Sequence, residues 1–470
     1  VSVVHFKANA SRTRVYGVSK TDAIFKAYDI RGTYPDQIDS ELIFALGAAV
    51  AKHCQSSEIL VARDMRESGV ELTRAFAEGA ATQGVRIVDL GMASTDFLYF
   101  AAGHLSAPGA MFTASHNPAK YNGVKLCYAG ARPIGQDTGL AEIQALTDGF
   151  LASPPVRVPT MIETKNLLPE WVSHVHSFID VSKLRPLKIV ADTANGMGGL
   201  VLPLIMEKLP FEVEILYPEL DGSFPNHPAD PIQPENLVDL QRLVIERGAD
   251  IGLAFDGDAD RVFLVDEHAA GVSGSLTTAL VANAMLDKEP GATILYNCIC
   301  SKVVPELVEE KGGTAVRTRV GHSFIKADME RTGAVFGGEH SGHYYYRDNF
   351  RADSGIITAM VVLELMGSTG KSLSELAAPF ARYAASGEIN TEVPNPKRAV
   401  ELVAQHLEGS EAVLDHLDGL TANYEDWWFN LRPSNTEPLL RLNVEAANDA
   451  AVERHVVEVQ SMIRTLLDND

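Results

Sequence analysis

No run of basic residues, no apolar run of bilayer length and no paired cysteines occur in this 470-residue chain, and each absence removes a class of function. The net charge is −22, a field that repels polyanions, and no Lys/Arg cluster interleaved with aromatics offsets it. A nucleic-acid partner is not expected. The longest apolar runs, such as 44–51 and 276–286, fall far short of the roughly 18–20 residues that span a bilayer, so no membrane role is expected. The opening residues, VSVVHFKANASRTRVYGVSK, lack the apolar core and cleavage site of an export signal, so 1–19 reads as a flexible tail and the location as cytoplasmic. Cys54, Cys127, Cys298 and Cys300 form no C-x-x-C pair. Cys298 and Cys300 alternate within ILYNCIC as strand residues do, and buried, reduced thiols are expected.

What is present is an ordinary globular composition, 46% apolar and 22% charged, in a chain too long for one core. From about residue 20 to residue 370, β-type apolar runs alternate with segments of helical spacing: ELTRAFAEGAATQG then VRIVDLG, LKIVAD then GGLVLPLIMEKL. Turn-rich breaks near 151–160, 266–275 and 366–372 divide the chain into 20–153, 154–267, 268–371 and 372–470. The expected class is α/β: three similar βα-type domains with mixed sheets, followed by a smaller α+β C-terminal domain. In so acidic a chain, any site for an anion has to gather Lys, Arg and backbone N–H groups locally.

GAMFTASHNPAKYNGVKL reads as a strand over 109–113, a polar loop turned by Asn117-Pro118, and a strand over 123–128. Ser115 is displayed at the strand end. A serine hydroxyl needs a base or a metal to act as a nucleophile, and no G-x-S-x-G elbow surrounds it, which disfavours a triad hydrolase. Taken alone, Ser115 is better explained as a turn serine.

IGLAFDGDADRVFLVDE places Asp256, Asp258 and Asp260 between two apolar strands, where alternating carboxylates repel unless a cation joins them. The spacing imitates an EF-hand, with Glu267 in the twelfth position, but Arg261 stands where that loop needs glycine, and strands flank it instead of helices. Three hard oxygen ligands plus a phosphoryl oxygen suit one Mg²⁺.

FGGEHSGHYYYRDNF sets Glu339, Ser341 and His343 on a glycine-flexed loop, with the acceptors and proton donor that sugar hydroxyls need. Zinc on His340 and His343 is the rival, and it lacks a third nearby ligand. FNLRPSNTEPLLRLNVEA brings Arg432, Ser434, Asn435, Thr436 and Arg441 around a tight turn, a donor set suited to a phosphate dianion. A surface turn with incidental arginines would read the same way in isolation.

TASHNP (113–118), DGDADR (256–261), GEHSGH (338–343) and RPSNTEP (432–438) together resemble the α-D-phosphohexomutase family, the phosphomannomutases and phosphoglucomutases. FKAYDIRG with Tyr28 and Arg31, Lys125, and RVGHSFIK with His322 and Lys326 match too, in the family's order across 25–445. The resemblance implies that Ser115 carries a transferable phosphoryl group and joins Asp256, Asp258 and Asp260 on Mg²⁺. It implies that Glu339 and Ser341 hold ring hydroxyls, and that Arg432, Ser434, Asn435, Thr436 and Arg441 hold the phosphate that is not reacting. Tyr28 joins them in substrate binding, Lys125 and His343 are the acid–base candidates, and Arg31, Arg261, His322 and His116 stabilise charge. The expected partner is a small hexose phosphate, with a hexose 1,6-bisphosphate intermediate, in a monomer or dimer. The histidine of GEHSGH and Asn435, where relatives acting on glucosamine phosphate commonly have glycine, place mannose first and dual mannose/glucose use second. A phosphatase using the same groups and a catalytically inactive sugar-phosphate-binding protein are the rivals.

Overall fold

Apolar strand segments alternating with amphipathic helices fold into three mixed sheets built on one strand order, followed by an antiparallel sheet. The structure, a computed structural model, describes residues 20–434 and 439–469, so the expected tail 1–19 lies outside the described residues. The first sheet contains, side by side, Tyr121–Cys127, Gly109–Phe112, Glu58–Arg63 and Arg86–Met92. The second contains Val262–Asp266, Ile251–Phe255, Leu187–Asp192 and Phe211–Leu216, and the third Tyr344–Tyr346, Phe336–Gly338, Thr293–Asn297 and Thr314–Thr318. In each set the chain runs through the last two strands first, and every pairing is parallel except the hairpin that comes last. Three copies of one topology are therefore present, as the similar βα plan of the first three segments led one to expect.

This repetition places the chemistry. The hairpin loops are 113–120, 256–261 and 339–343, so the serine, aspartate and sugar motifs occupy the same position in three successive copies. Each lies beyond the end of a strand that pairs in parallel with its neighbour, where open α/β sheets bind ligands. Ser434 sits likewise in the turn between Trp427–Pro433 and Leu439–Ala446 of the fourth sheet.

Additional edge strands cross the expected segment boundaries in two places. Ile162–Thr164 completes the first sheet beside Arg86–Met92, and Gly271–Val272 extends the second beside Val262–Asp266. In both cases the chain covers a sheet edge before leaving it. One apolar core, including Leu60, Phe97, Met197, Phe255, Leu280 and Met360, runs through the first three units. The fourth sheet has its own core around Phe429, Leu431, Val444 and Val459. Polar contacts join the two: Lys302 N–H to Glu445 (3.0 Å), Val320 N–H to Asp418 (3.0 Å) and Arg317 to Asp415 (3.0 Å). A polar seam between separate cores suits units that shift relative to one another.

The strand predicted through ILYNCIC stops at Asn297. There the Asn297 amide donates to Glu339 (3.2 Å) and Cys300 N–H bonds back to Asn297 O (3.0 Å), so both cysteines lie in a turn and not in the strand. Cys298 and Cys300 are nevertheless buried, and all four thiols are free. Burial pushes each up to about 12, which leaves them protonated at neutral pH. No single helix among the described residues is long and apolar enough to cross a membrane.

Candidate active site

The Gly109–Phe112 strand delivers Ser115 into a buried position with φ +50°, a left-handed backbone that few non-glycine residues adopt. Thr113 helps to hold it there, its Oγ1 accepting from Ser115 N–H at 2.8 Å. The Ser115 hydroxyl donates to Asp256 Oδ2 at 2.7 Å, and His116 Nδ1 lies 3.3 Å from Ser115 Oγ. Gly257 makes this approach possible, because a Cβ there would lie 2.6 Å from the Ser115 carbonyl oxygen.

A residue that sequence reasoning missed organises this loop. The buried Arg66 guanidinium donates to the carbonyls of Ser115 (3.0 Å), Asn117 (2.6 Å), Pro118 (3.0 Å) and Tyr121 (2.9 Å), and its Nε to Asp64 (3.1 Å). The Phe224 ring covers the guanidinium at 5.1 Å. Arg31 fixes the loop from the other side, donating to Asn117 Oδ1 at 2.6 Å while paired with Asp29.

Asp256, Asp258 and Asp260 are all buried. Lys125 Nζ sits between Asp258 (2.7 Å) and Asp260 (2.6 Å), Arg261 Nε reaches Asp256 (3.0 Å), and Thr95 Oγ1 donates to Asp258 (2.6 Å). Burial pushes Asp256 and Asp260 upward, reinforced by the neighbouring carboxylates. Burial would do the same to Asp258, but Lys125 prevails and holds it well below the usual carboxylate range. Desolvation would lower Lys125, yet Asp258 and Asp260 raise it well above its ordinary value. The ammonium therefore stays protonated. One oxygen from each of the three aspartates lies within 4.8 Å of the others, and the Oδ1 atoms of Asp258 and Asp260 are buried with no hydrogen-bond partner. Two orphaned hard acceptors beside a third carboxylate fit a divalent cation. Glu267 plays no part in this group: it accepts from Ser374 N–H (3.2 Å) and Oγ (2.5 Å), which removes the EF-hand alternative.

On the sugar loop, Glu339 is buried and held by Gly321 N–H (3.0 Å), Asn297 (3.2 Å) and Tyr345 OH (2.8 Å). Ser341 is half-buried in the turn that Gly342 N–H closes onto Glu339 O (3.1 Å). His343 Nδ1–H donates to Asp353 Oδ2 at 2.8 Å, which leaves Nε2 for proton transfer. Asp353, also missed in the sequence, has its second oxygen 2.9 Å from Lys326 Nζ, whose ammonium lies 3.6 Å from the Tyr99 ring centre. Burial would lower His343, but Asp260 and Asp353 outweigh it and raise the imidazole above its ordinary value. His340 turns elsewhere, onto Ser275 Oγ (3.1 Å), and no group of potential metal ligands among the described residues includes it. The zinc alternative falls with that.

His116 and His322 differ from the arginines with which the sequence grouped them. Burial first, then nearby cations, pushes both well below their ordinary value, so they are neutral here, whereas Arg31 and Arg261 are held above theirs by Asp29 and Asp256 against burial. His322 meets the Tyr28 ring edge-on at 4.9 Å. Burial first, then Asp29, raises the Tyr28 phenol above its ordinary value.

In the fourth sheet Arg432 and Arg441 face each other directly across paired strands, and Ser434 N–H closes the turn onto Leu439 O (2.8 Å). Glu388, a third missed residue, meets both arginines, at 2.6 Å from Arg432 Nη2 and 3.3 Å from Arg441 Nη1. Asn435 and Thr436 lie outside the described residues.

Comparison with known proteins follows this geometry unit by unit. Profiles described as Phosphoglucomutase/phosphomannomutase match as alpha/beta/alpha domain I over 22–149, domain II over 169–271, domain III over 273–383 and the C-terminal domain over 388–461. A protein named phosphomannomutase from Escherichia coli K12 is 39% identical over 457 residues, covering 94% of this chain and 98% of that one. One named phosphohexose mutases from Xanthomonas campestris pv. campestris is 40% identical over 445 residues, covering 94% and 99%. A solved phosphoglucomutase/phosphomannomutase family protein from Burkholderia thailandensis superposes with a TM-score of 0.85 at 31% identity, covering 96% and 98%.

Proposed function

The chain belongs to the phosphoglucomutase/phosphomannomutase family, a phosphohexomutase acting on small sugar phosphates, and from that premise we propose that it interconverts mannose 6-phosphate and mannose 1-phosphate. The observation that carries this reading is the Ser115 hydroxyl, held on Asp256 at 2.7 Å within a triad of buried aspartates. Ser115 is the phosphoryl carrier and hexose 1,6-bisphosphate the intermediate. Ser115, Asp256, Asp258 and Asp260 are the residues that would hold one Mg²⁺, which when bound supplies positive charge to the transferring phosphoryl group.

The protein's own groups divide the remaining work. As the phosphoserine P–O bond breaks and the bond to the sugar oxygen forms, the sugar hydroxyl gives its proton to His343 Nε2, and the Ser115 oxygen receives one from Lys125. Asp258 and Asp260 keep Lys125 protonated, so it has a proton to give, and a cation on those carboxylates would make it a stronger acid than it is beside them alone. Arg31 and Arg261 offset charge on the equatorial oxygens, while neutral His116 and His322 donate hydrogen bonds. Tyr28, Glu339 and Ser341 orient the ring. Arg432, Ser434, Asn435, Thr436 and Arg441 hold the phosphate that is not reacting, and one clamp serves both orientations of the bisphosphate. The division into 20–153, 154–267, 268–371 and 372–470 assigns one motif to each domain, and a cytoplasmic monomer or dimer fits a chain of this charge.

Dual mannose/glucose use is the second reading, supported by the family description phosphoglucomutase/phosphomannomutase and by the name phosphohexose mutases, which singles out no one hexose. Values of kcat/KM for mannose 1-phosphate, glucose 1-phosphate and glucosamine 1-phosphate in Mg²⁺, with inorganic phosphate followed in parallel, test the proposal. Mannose 1-phosphate is expected to lead, glucosamine 1-phosphate to be poorest, and phosphate release to be negligible. Release matching substrate loss would make the protein a phosphatase, and no turnover at all would make it a binding protein.

If His343 is the base, it acts in its neutral form, which is lost as pH falls through its raised pKa. A cation on Asp260 would offset that carboxylate, leaving the Nδ1–H bond to Asp353 to oppose burial, and the acid limb of kcat/KM reports that balance. Asp353→Asn removes one of the carboxylates that raise it, so the limb moves to lower pH. A pH–rate profile in which Asp353→Asn leaves the limb in place would remove His343 from this role.

A further inference from the structure

The arginine pair of the fourth sheet poses an electrostatic problem that the fold solves with an unexpected residue. Arg432 and Arg441 are direct cross-strand partners, an arrangement in which like charges destabilise a sheet. The neighbouring strand Ala384–Glu392 carries a bulge between Ala385 and Glu388. Gly387, at φ +67°, supplies the left-handed residue of that bulge, its carbonyl accepts from Asn443 (3.2 Å), and Ser386 Oγ accepts from Val444 N–H (3.0 Å). The bulge shifts the register so that Glu388 pairs with Asn443, and its carboxylate reaches both arginines, one oxygen to each.

The shape of the contact is informative. Glu388 engages only Nη2 of Arg432, while Nε is buried without a partner. A guanidinium edge that could grip an anion with two donors is half used. We propose that Glu388 is the resident counter-anion of the phosphate clamp: it steadies Arg432 and Arg441 between substrates and competes with the incoming dianion, so that the clamp releases one phosphate of the bisphosphate and accepts the other. This rests on the reading of Arg432 and Arg441 as the phosphate clamp. A grip without an internal competitor would hold the intermediate in one orientation, since tighter ground-state binding does not raise turnover.

A purely structural ion pair makes the opposite forecast, because breaking it would loosen the arginines and weaken phosphate binding. The test is the Kd of inorganic phosphate, by calorimetry on the full chain, together with kcat and KM for mannose 1-phosphate. Glu388→Gln is expected to bind phosphate on the order of tenfold more tightly than wild type, because an anion no longer faces an anion. Its KM should fall and its kcat should fall with it, as release slows. Glu388→Asp, which draws the carboxylate back, should lie between, and it decides the matter if Glu388→Gln does not fold. Phosphate binding unchanged or weakened in the folded variant overturns the proposal. Arg432→Ala separates the two claims: if it leaves phosphate affinity at the wild-type value, the clamp reading itself fails. If affinity drops there but does not rise in the Glu388 variants, only the role of Glu388 fails.

Discussion

Ser115→Ala is expected to lower mutase turnover by at least about a thousandfold while leaving the fold intact, because the residue supplies the only atom proposed to carry the phosphoryl group between sugar positions. Its removal costs the structure little. The hydroxyl donates one hydrogen bond, to Asp256, which keeps its partner Arg261 at 3.0 Å. Alanine occupies the left-handed φ no less readily than serine, so the stability change should stay within about 1.5 kcal/mol, the scale of one hydrogen bond. The measurements are a coupled assay from mannose 1-phosphate, intact mass after incubation with hexose 1,6-bisphosphate, and a thermal melt. Wild type should show a phosphoryl adduct that the variant lacks. Substantial activity in a folded Ser115→Ala protein would exclude a phosphoserine route, and loss of activity with a collapsed melt would be answered by Ser115→Gly, which relieves the backbone.

How much of this was visible beforehand divides along a physical line. Each of the serine, aspartate, sugar and clamp motifs is a contiguous hairpin loop, so its residues announce themselves together, and strands such as LKIVAD fall where their apolar pattern puts them. The supporting residues act across the fold. Arg66 grips carbonyls 49 to 55 positions away, Thr95 meets Asp258 at a separation of 163, and Glu388 meets Arg432 at 44. Nothing local distinguishes such residues from surface charges or ordinary cap residues. Protonation was equally hidden: His116 and Arg261 look alike as cationic candidates in a sequence, and both are buried, but the imidazole has cations beside it and becomes neutral, whereas Asp256 keeps the guanidinium charged. The strand ending at Asn297 shows the converse limit, since apolar alternation continues through Cys300 while the backbone turns there, Cys300 N–H bonding to Asn297 O.

Arg66→Ala should rank second only to loss of the serine, and for a different reason. The guanidinium leaves no N–H unused: two donors from each terminal nitrogen reach the carbonyls of Ser115, Asn117, Pro118 and Tyr121, and Nε reaches Asp64. Truncation removes a donor from each of four carbonyls, of which Pro118 O keeps Tyr121 N–H (2.9 Å), and takes the charge partner from buried Asp64, which keeps the residue-66 N–H (3.0 Å), a cost of about 3–5 kcal/mol by comparison with broken buried pairs. Ser115 at φ +50° is then held only by its bonds to Thr113 and Asp256, the Asn117 N–H bond to Ala114 O (3.0 Å) and the Arg31 contact with Asn117. Arg66→Lys separates position from stability. Lysine keeps the charge opposite Asp64, but a single ammonium cannot span four carbonyls that a planar fork reaches together. Because Arg66 touches no substrate in this reading, kcat in Arg66→Lys should fall by roughly a hundredfold while KM for mannose 1-phosphate changes little, as expected when a reacting atom is misplaced by a fraction of an ångström. A general loosening of the fold would instead raise KM and lower the melting temperature together. If Arg66→Lys keeps kcat within about threefold of wild type, the loop holds Ser115 without its help and the left-handed serine owes its geometry to the Asp256 contact and its own turn.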